Sequence, residues 1–345
     1  MSAPHRLFVT DCEGPLTRND NAMEVTAAFV PDGAELFSRL SRYDDFLADV
    51  QHKPGYNAGD TLRLIVPFLL AYGVGDRDVE EYSAATVLVV PGARDLLRDV
   101  AAALPSYIIS TSYSPYVRAL CRGTGFPFAQ CRCTKLDLDT WHLTADEADW
   151  LRDRAEAILD QPVIELPEAA RSADDLTAAD RAAVAALDRL FWVEMGAQGR
   201  RSADIVATVR PIGGGLKLSA LREIAAGRRV ALADVMYVGD SITDVPPFTA
   251  VREAGGVALS FNGNRYALAA AELAAAAADT APTRELALAF AAGGREAVLT
   301  AIDEWPPTTK PLPQVGLLAD AAPALAHASA YARSHVRGER VARLG

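Results

Sequence analysis

Four short apolar runs, each closed by a polar residue, limit most what this chain can fold into. Leu7–Thr10 ends at Asp11, residues 107–109 at Ser110, residues 235–238 at Gly239-Asp240, and Val257–Phe261 at Asn262. Each has the length of a strand and lacks alternation, so each reads as a strand buried on both faces. Long stretches at helical spacing separate them. Strands alternating with helices predict a parallel sheet wound by right-handed crossovers. Sites in such sheets lie beyond the carboxyl ends of the strands. Asp11, Ser110, Asp240 and Asn262 stand at those ends.

The helical stretches are 22–50, Asp60 or Thr61 through Leu70, 76–85, 93–104, a helix opening near Pro115, most of 141–200, 217–226, 283–303 and 317–338. Residues 134–139 alternate in polarity and predict a strand of a hairpin. The alanine-rich stretch 267–278 carries Glu272 and predicts a surface or packing helix. Pro306, Pro307 and Pro313 predict a linker. At about 150 residues per domain, 345 residues make two domains or one core with insertions.

Half the residues are apolar and 23% are charged, which excludes a mainly disordered chain. The net charge of -11 argues against a nucleic-acid or anionic-membrane binder. The apolar run 64–75 contains Pro67 and Gly73 and is too short to span a bilayer. Residues 1–10 show no leader pattern. Four cysteines in a chain this long are not a disulfide framework, so a reducing, cytoplasmic location is expected.

The strand ends carry the chemistry. In Asp11-Cys12-Glu13-Gly14-Pro15-Leu16-Thr17 two carboxylates stand two apart after a buried strand. A turn aims both at one small ligand, one to attack or bind metal and the other to move protons; equally, such acids cap helices and form turns. Asp240 and Asp244 suit a hard cation held by oxygen, or an N-cap with an acidic first turn. Lys217 follows Gly213-Gly214-Gly215 and is one of four lysines, with Lys53, Lys135 and Lys310. It reads as a point charge aimed at a phosphate or as a solvated helix residue. Ser110, with the following backbone N–H groups of Thr111 and Ser112, suits phosphate oxygens. Together, a carboxylate nucleophile, a metal, a hydroxyl and a lysine are the components of phosphoryl transfer.

In this order and strand context, from Phe8 to about Asn264, the four elements resemble the haloacid dehalogenase superfamily of phosphatases, and within it the phosphoserine-phosphatase-like branch. The chain is also similar to an archaeal and bacterial group labelled subunit R of energy-converting hydrogenase A, although nothing in it suggests a redox cofactor. The resemblance implies an α/β fold: a Rossmannoid core with a parallel sheet, a mainly helical cap and a second helical insertion. The core would comprise residues 1–17, 91–135 and 205–305, the cap 18–90, and the insertion 136–204. Residues 306–345 would form a linker and terminal helix.

By the same resemblance, Asp11 would be the nucleophile, forming an aspartyl-phosphate, and a Mg²⁺ ligand. Glu13 would be the acid/base and lend its backbone carbonyl to the metal. Ser110, Thr111, Ser112 and Lys217 would bind the phosphate, and Lys217 would also pair with Asp11. Asp240 would ligate Mg²⁺, with Asp244 supporting it directly or through water. The loop at Asn262-Gly263 falls where relatives close over the site. The family usually has Asp where this chain has Glu13; one added methylene shifts the carboxyl by about 1 Å, an offset that costs ~10²-fold when uncorrected.

The implied activity is Mg²⁺-dependent hydrolysis of a small phosphorylated metabolite, with no nucleic-acid or membrane partner. The alternatives are a phosphotransferase or mutase, and a non-catalytic sensor or partner-binding protein. Arg42, Tyr56, Asn57 and Arg63 are candidate substrate selectors in the cap, or ordinary surface and packing residues. Residues 136–204 would widen the cap or, like the terminal helix, make a homodimer contact. Trp141, Trp150 and Trp192 read as packing anchors. Cys121, Cys131 and Cys133 lack a C-x-x-C pair and read as buried thiols. Cys12 is expected to face away from the site.

Overall fold

The computed structural model describes residues 6–167, 169–196, 199–306 and 310–338. The strands are β1 (Leu7–Thr10), β2 (Ser106–Tyr113), β3 (Cys131–Thr134), β4 (Val235–Gly239), β5 (Val257–Phe261), β6 (Leu273–Ala276) and β7 (Gln314–Leu317). They form one sheet in the order β3-β2-β1-β4-β5-β6-β7. All neighbours are parallel except β7, which runs antiparallel to β6 at the edge. The four expected strands are present. β1, β4 and β5 are buried at every position.

Alternation of side chains across the pleat divides these apolar strands between two cores. Phe8, Met236, Val238 and Leu259 join one cluster, beneath the helices Ala93–Ala103, Ser114–Thr124 and Ala281–Asp303. Leu7, Val9, Val235, Tyr237 and Ala258 join the other, with Leu221 and Ile224 of the helix Gly215–Arg228 and Phe248 of the helix Val245–Glu253. The sheet is therefore covered on both faces, which its continuous apolar runs require.

Three local expectations need correction. Residues 267–278 are not one helix. A short helix, Arg265–Ala270, is followed by β6, fully buried between β5 and β7. Alanine favours helices, but a strand here presents small side chains to the terminal helix, where Ala276 packs with Ala328 and Ala332. Residues 134–139 do not form a hairpin strand either. The strand is β3, which ends at Thr134. The chain then leaves the sheet, Leu138 is buried in the cap, and Asp76 Oδ1 accepts the Leu138 N–H at 2.7 Å. The proline-bearing linker leads into β7, a strand the sequence reading lacked; residues 307–309 lie outside the described residues, as do 1–5 and 339–345.

Above the carboxyl edge of the sheet stands a helical cap. Its helices come from both insertions: Asn21–Phe29, Gly33–Asp45, Thr61–Ala71 and Asp76–Thr86 from the first, Ala145–Leu159, Ala178–Arg189 and Arg201–Thr208 from the second. They share a single apolar cluster in which Leu40, Tyr43 and Phe68 meet Leu151, Leu187 and Phe191. Polar bonds join them as well: the Tyr43 hydroxyl donates to Asp188 at 2.6 Å and accepts from Trp192 Nε1 at 2.7 Å. Among the described residues no helix is long and apolar enough to cross a membrane.

Candidate active site

Asp11 is the first residue beyond β1, its N–H donating to the Val238 carbonyl of β4 at 2.8 Å. Its Oδ1 accepts the Cys12 N–H at 2.6 Å and its Oδ2 accepts Lys217 Nζ at 2.6 Å. Lys217 lies in the first turn of Gly215–Arg228 and is fully buried. Its ammonium also donates to Asp244 Oδ1 at 2.7 Å. Burial alone would push this lysine down, but the two carboxylates outweigh it and hold the ammonium above its usual range. Burial pushes the Asp11 carboxyl up to about 7; Asp244 and Asp240 add to the rise and Lys217 opposes it.

Asp244 is fully committed to protein donors. Oδ1 accepts from Lys217 and from the Tyr237 hydroxyl at 2.7 Å, and Oδ2 accepts the N–H groups of Asp240 at 3.0 Å and Ser241 at 3.1 Å. It therefore orients the lysine and the backbone after β4. Asp240 is itself buried. Two glycines permit this crowding. A Cβ on Gly14, where φ is +91°, would lie 2.3 Å from the Asp240 carboxyl carbon, and one on Gly239 would lie 2.4 Å from that of Asp244.

Ser110 is buried on β2, where the pairing with β3 shifts register between Ser110 and Tyr113. Its Oγ donates to Ser112 Oγ at 2.9 Å and accepts the Ser112 N–H at 3.1 Å. Thr111 Oγ1 donates to the Ile212 carbonyl at 3.1 Å, tying β2 to the chain ahead of the Lys217 helix. Glu13 Oε1 accepts the Asn21 N–H at 2.9 Å, so this carboxyl anchors the first cap helix as well as facing the site.

A cleft of about 130 Å³ opens between Asp11, Glu13, Ser110 and Asp240 below and the cap above. The cap side is Phe37, Ser41, Asp44, Asp45, Thr61 and Leu62. The candidates from the sequence are elsewhere: Arg42 pairs with Asp45 at 3.2 Å, Arg63 pairs with Asp60 at 2.7 Å, and Tyr56 lies under the Arg63 guanidinium and meets Trp192 edge-on. Asn57 lies against Gly215. Asn262 does not close over the cleft. Its side chain exchanges hydrogen bonds with the Ala277 backbone at 2.8 and 2.9 Å, clamping the ends of β5 and β6.

One residue the sequence reading missed completes the floor. Arg333, on the terminal helix Leu318–Arg337, donates Nη1 to Asp240 Oδ2 at 2.5 Å. No strand end, glycine run or neighbouring motif marks it in the sequence. Two of the three expected buried thiols, Cys121 and Cys131, are free and buried with sulfurs 3.5 Å apart, Cys133 is free and partly buried, and Cys12 packs with Phe8 and Leu16 in the core.

Carboxylate oxygens of Asp11, Asp240 and Asp244 lie within 4.8 Å of one another. An all-oxygen donor set fits a hard cation such as Mg²⁺, which takes one or two carboxylates and keeps several waters. Asp11 and Asp240 fit as the ligands, with Asp244 behind them. Asp11, Lys217, Ser110 and the acidic pair Asp240 and Asp244 thus meet at the carboxyl ends of β1, β2 and β4, under a helical cap. This is the α/β fold with a helical cap that the resemblance to the haloacid dehalogenase superfamily implies.

No family model matches the chain, and no curated protein matches it. Among solved structures it is similar to gene product AF1437 from Archaeoglobus fulgidus, at 28% identity and a TM-score of 0.85, covering 99% of each chain. It is also similar to a phospho-aspartyl intermediate analogue of phosphoserine phosphatase (12% identity, TM-score 0.45, 78% of this chain and 92% of that one). A substrate-bound phosphoserine phosphatase gives 14% and 0.47, over 79% and 93%. The shared fold with the archaeal structure spans both insertions and the terminal helix.

Proposed function

We propose that the chain is a phosphatase that hydrolyses a small phosphomonoester through an aspartyl-phosphate on Asp11. The observation that carries this reading is Lys217 Nζ, buried between Asp11 and Asp244 at the mouth of β1. A buried ammonium beside a carboxylate stabilises charge that a transferring phosphoryl group spreads over its oxygens.

In this reading Asp11 attacks phosphorus, Ser110 and Lys217 hold the equatorial oxygens, and Glu13 gives a proton to the departing alkoxide. Water, deprotonated by Glu13, then cleaves the acyl phosphate and restores Asp11. Mg²⁺ on Asp11 and Asp240 would offset the repulsion between the carboxylate and the dianionic ester. The cap shields the site from bulk water and its lining selects the leaving group. A second reading, binding of a phosphorylated ligand without turnover, is favoured by the Glu13–Asn21 hydrogen bond, which occupies an oxygen of the acid/base.

A phosphate-release screen over phosphorylated amino acids, sugars and short alcohols, with Mg²⁺, separates the two. Turnover that disappears in Asp11→Asn, with the fold intact, supports hydrolysis. Thermal stabilisation by one ester without phosphate release supports the binding reading.

A further inference from the structure

Arg333 comes 93 residues after Asp240 and is 5% exposed. Besides Asp240 Oδ2, its Nη1 lies 3.3 Å from the Asp240 carbonyl and 3.4 Å from the Asn262 carbonyl. One guanidinium nitrogen thus spans acceptors at the ends of β4 and β5. The carboxylate oxygen it holds belongs to a residue that fits as a metal ligand. We propose that Arg333 is a resident cation that competes with the divalent metal for Asp240, so that the terminal helix sets how tightly the site takes its metal. The proposal rests on the carboxylate-metal reading of the site and not on hydrolysis.

The charge balance supports it. Asp11, Asp240 and Asp244 are all buried, and Lys217 compensates only part of their charge. Buried carboxylates need paired cations, and Arg333 provides one without any metal. A dication arriving at Asp240 meets a like charge already on the same carboxylate, in surroundings of low dielectric where repulsion is strong. Metal therefore binds fully only when the guanidinium moves away.

The helix carrying Arg333 packs against β6, β7 and the helix Arg265–Ala270 mainly through small side chains. Its buried apolar contacts are Leu325, Ala328 and Ala332, and the cluster it shares with the sheet is Ala276, Ala328 and Ala332, bordered by Leu312. Alanine methyl groups bury little area each, so releasing this helix costs less than releasing one packed through leucines.

The test is metal affinity of the full chain, read without any ester: titration calorimetry with MgCl2, and the electron paramagnetic resonance signal of free Mn²⁺. Arg333→Met is expected to bind Mn²⁺ at least tenfold tighter than the unaltered chain, with Arg333→Lys between them. Ala332→Leu, which overfills the fully buried contact with Ala276 and adds no charge, is expected to tighten binding as well. Equal or weaker metal affinity in the folded variants overturns the proposal. So does loss of affinity for inorganic phosphate with metal affinity unchanged, which makes Arg333 an anion-binding residue. Absence of ester hydrolysis would remove the proposed function and leave this result standing.

Discussion

Lys217 and Asp11 are 206 residues apart in the chain and 2.6 Å apart in space. Breaking a buried ion pair from one side leaves the other charge uncompensated, at a cost of ~3–5 kcal/mol. Lys217→Met is expected to lose about that much stability at pH 8 in chelator, measured by urea unfolding. The deficit should grow as pH rises through about 7, where the Asp11 carboxyl ionises, against an ammonium in the unaltered chain and against none in the variant. A pH-independent deficit would show that Asp11 is not the group being compensated.

Glu13 has two duties that substitutions can separate. Gln keeps an oxygen able to accept the Asn21 N–H but cannot move a proton; Ala loses both. If Glu13 is the acid/base, Glu13→Gln should lower kcat by ~10²–10⁴-fold with an unchanged melting temperature. Glu13→Ala should additionally lose about 1 kcal/mol, as caps at helix starts do. Near-normal kcat in the Gln variant would remove Glu13 from proton transfer and leave it the anchor of the cap.

The four central strands of the sheet and the polar residues at their ends were legible in the sequence because their signals are local. A continuous apolar run closed by Asp or Ser needs no knowledge of the rest of the chain and marks Asp11, Ser110 and Asp240, while Lys217 is marked by the three glycines before it and Asp244 by its place four after Asp240. What was missed depends on tertiary contact. The run Leu273-Ala-Ala-Ala276 looks helical by propensity and is a strand because Ala276 must clear the terminal helix. Arg333 looks like a surface arginine in an alanine-rich helix, and only docking turns it toward Asp240. In the cap the turns are near the cleft but the candidate side chains are not in it: Arg42 and Arg63 stand next to Ser41 and Leu62, which line the cleft, and pair instead with Asp45 and Asp60, the packing alternative of the sequence reading.

Asp44 makes the cap pH-sensitive. Burial, with Asp45 and Asp60 nearby, pushes its carboxyl up to about 8, against 3.8 in an unfolded chain. Between those values the folded state holds the extra proton, so stability falls as pH rises from about 4 to about 8. Asp44→Asn stays neutral and still accepts the Gly59 N–H that Asp44 Oδ2 now receives at 2.8 Å. The variant should match the unaltered chain near pH 4 and exceed it by at least ~1.4 kcal/mol at pH 8.5, the equivalent of one pKa unit. Parallel stability curves across that range would show that another group carries the proton.

Gly14 tests the geometry with a single methyl group. Its φ of +91° favours glycine, and the added Cβ would fall 2.3 Å from the Asp240 carboxyl carbon, so that carboxylate must move. Strain of this kind costs on the order of 1–3 kcal/mol, and displacing Asp240 dismantles the pair it forms with Asp11. Gly14→Ala is therefore expected to bind Mn²⁺ at least tenfold more weakly while retaining its far-ultraviolet circular dichroism. Because Arg333 is held by the same carboxylate, Gly14→Ala combined with Arg333→Met should bind metal no better than Gly14→Ala alone. If the double variant recovers the tightened affinity expected of Arg333→Met, Asp240 is not where the metal and the arginine compete.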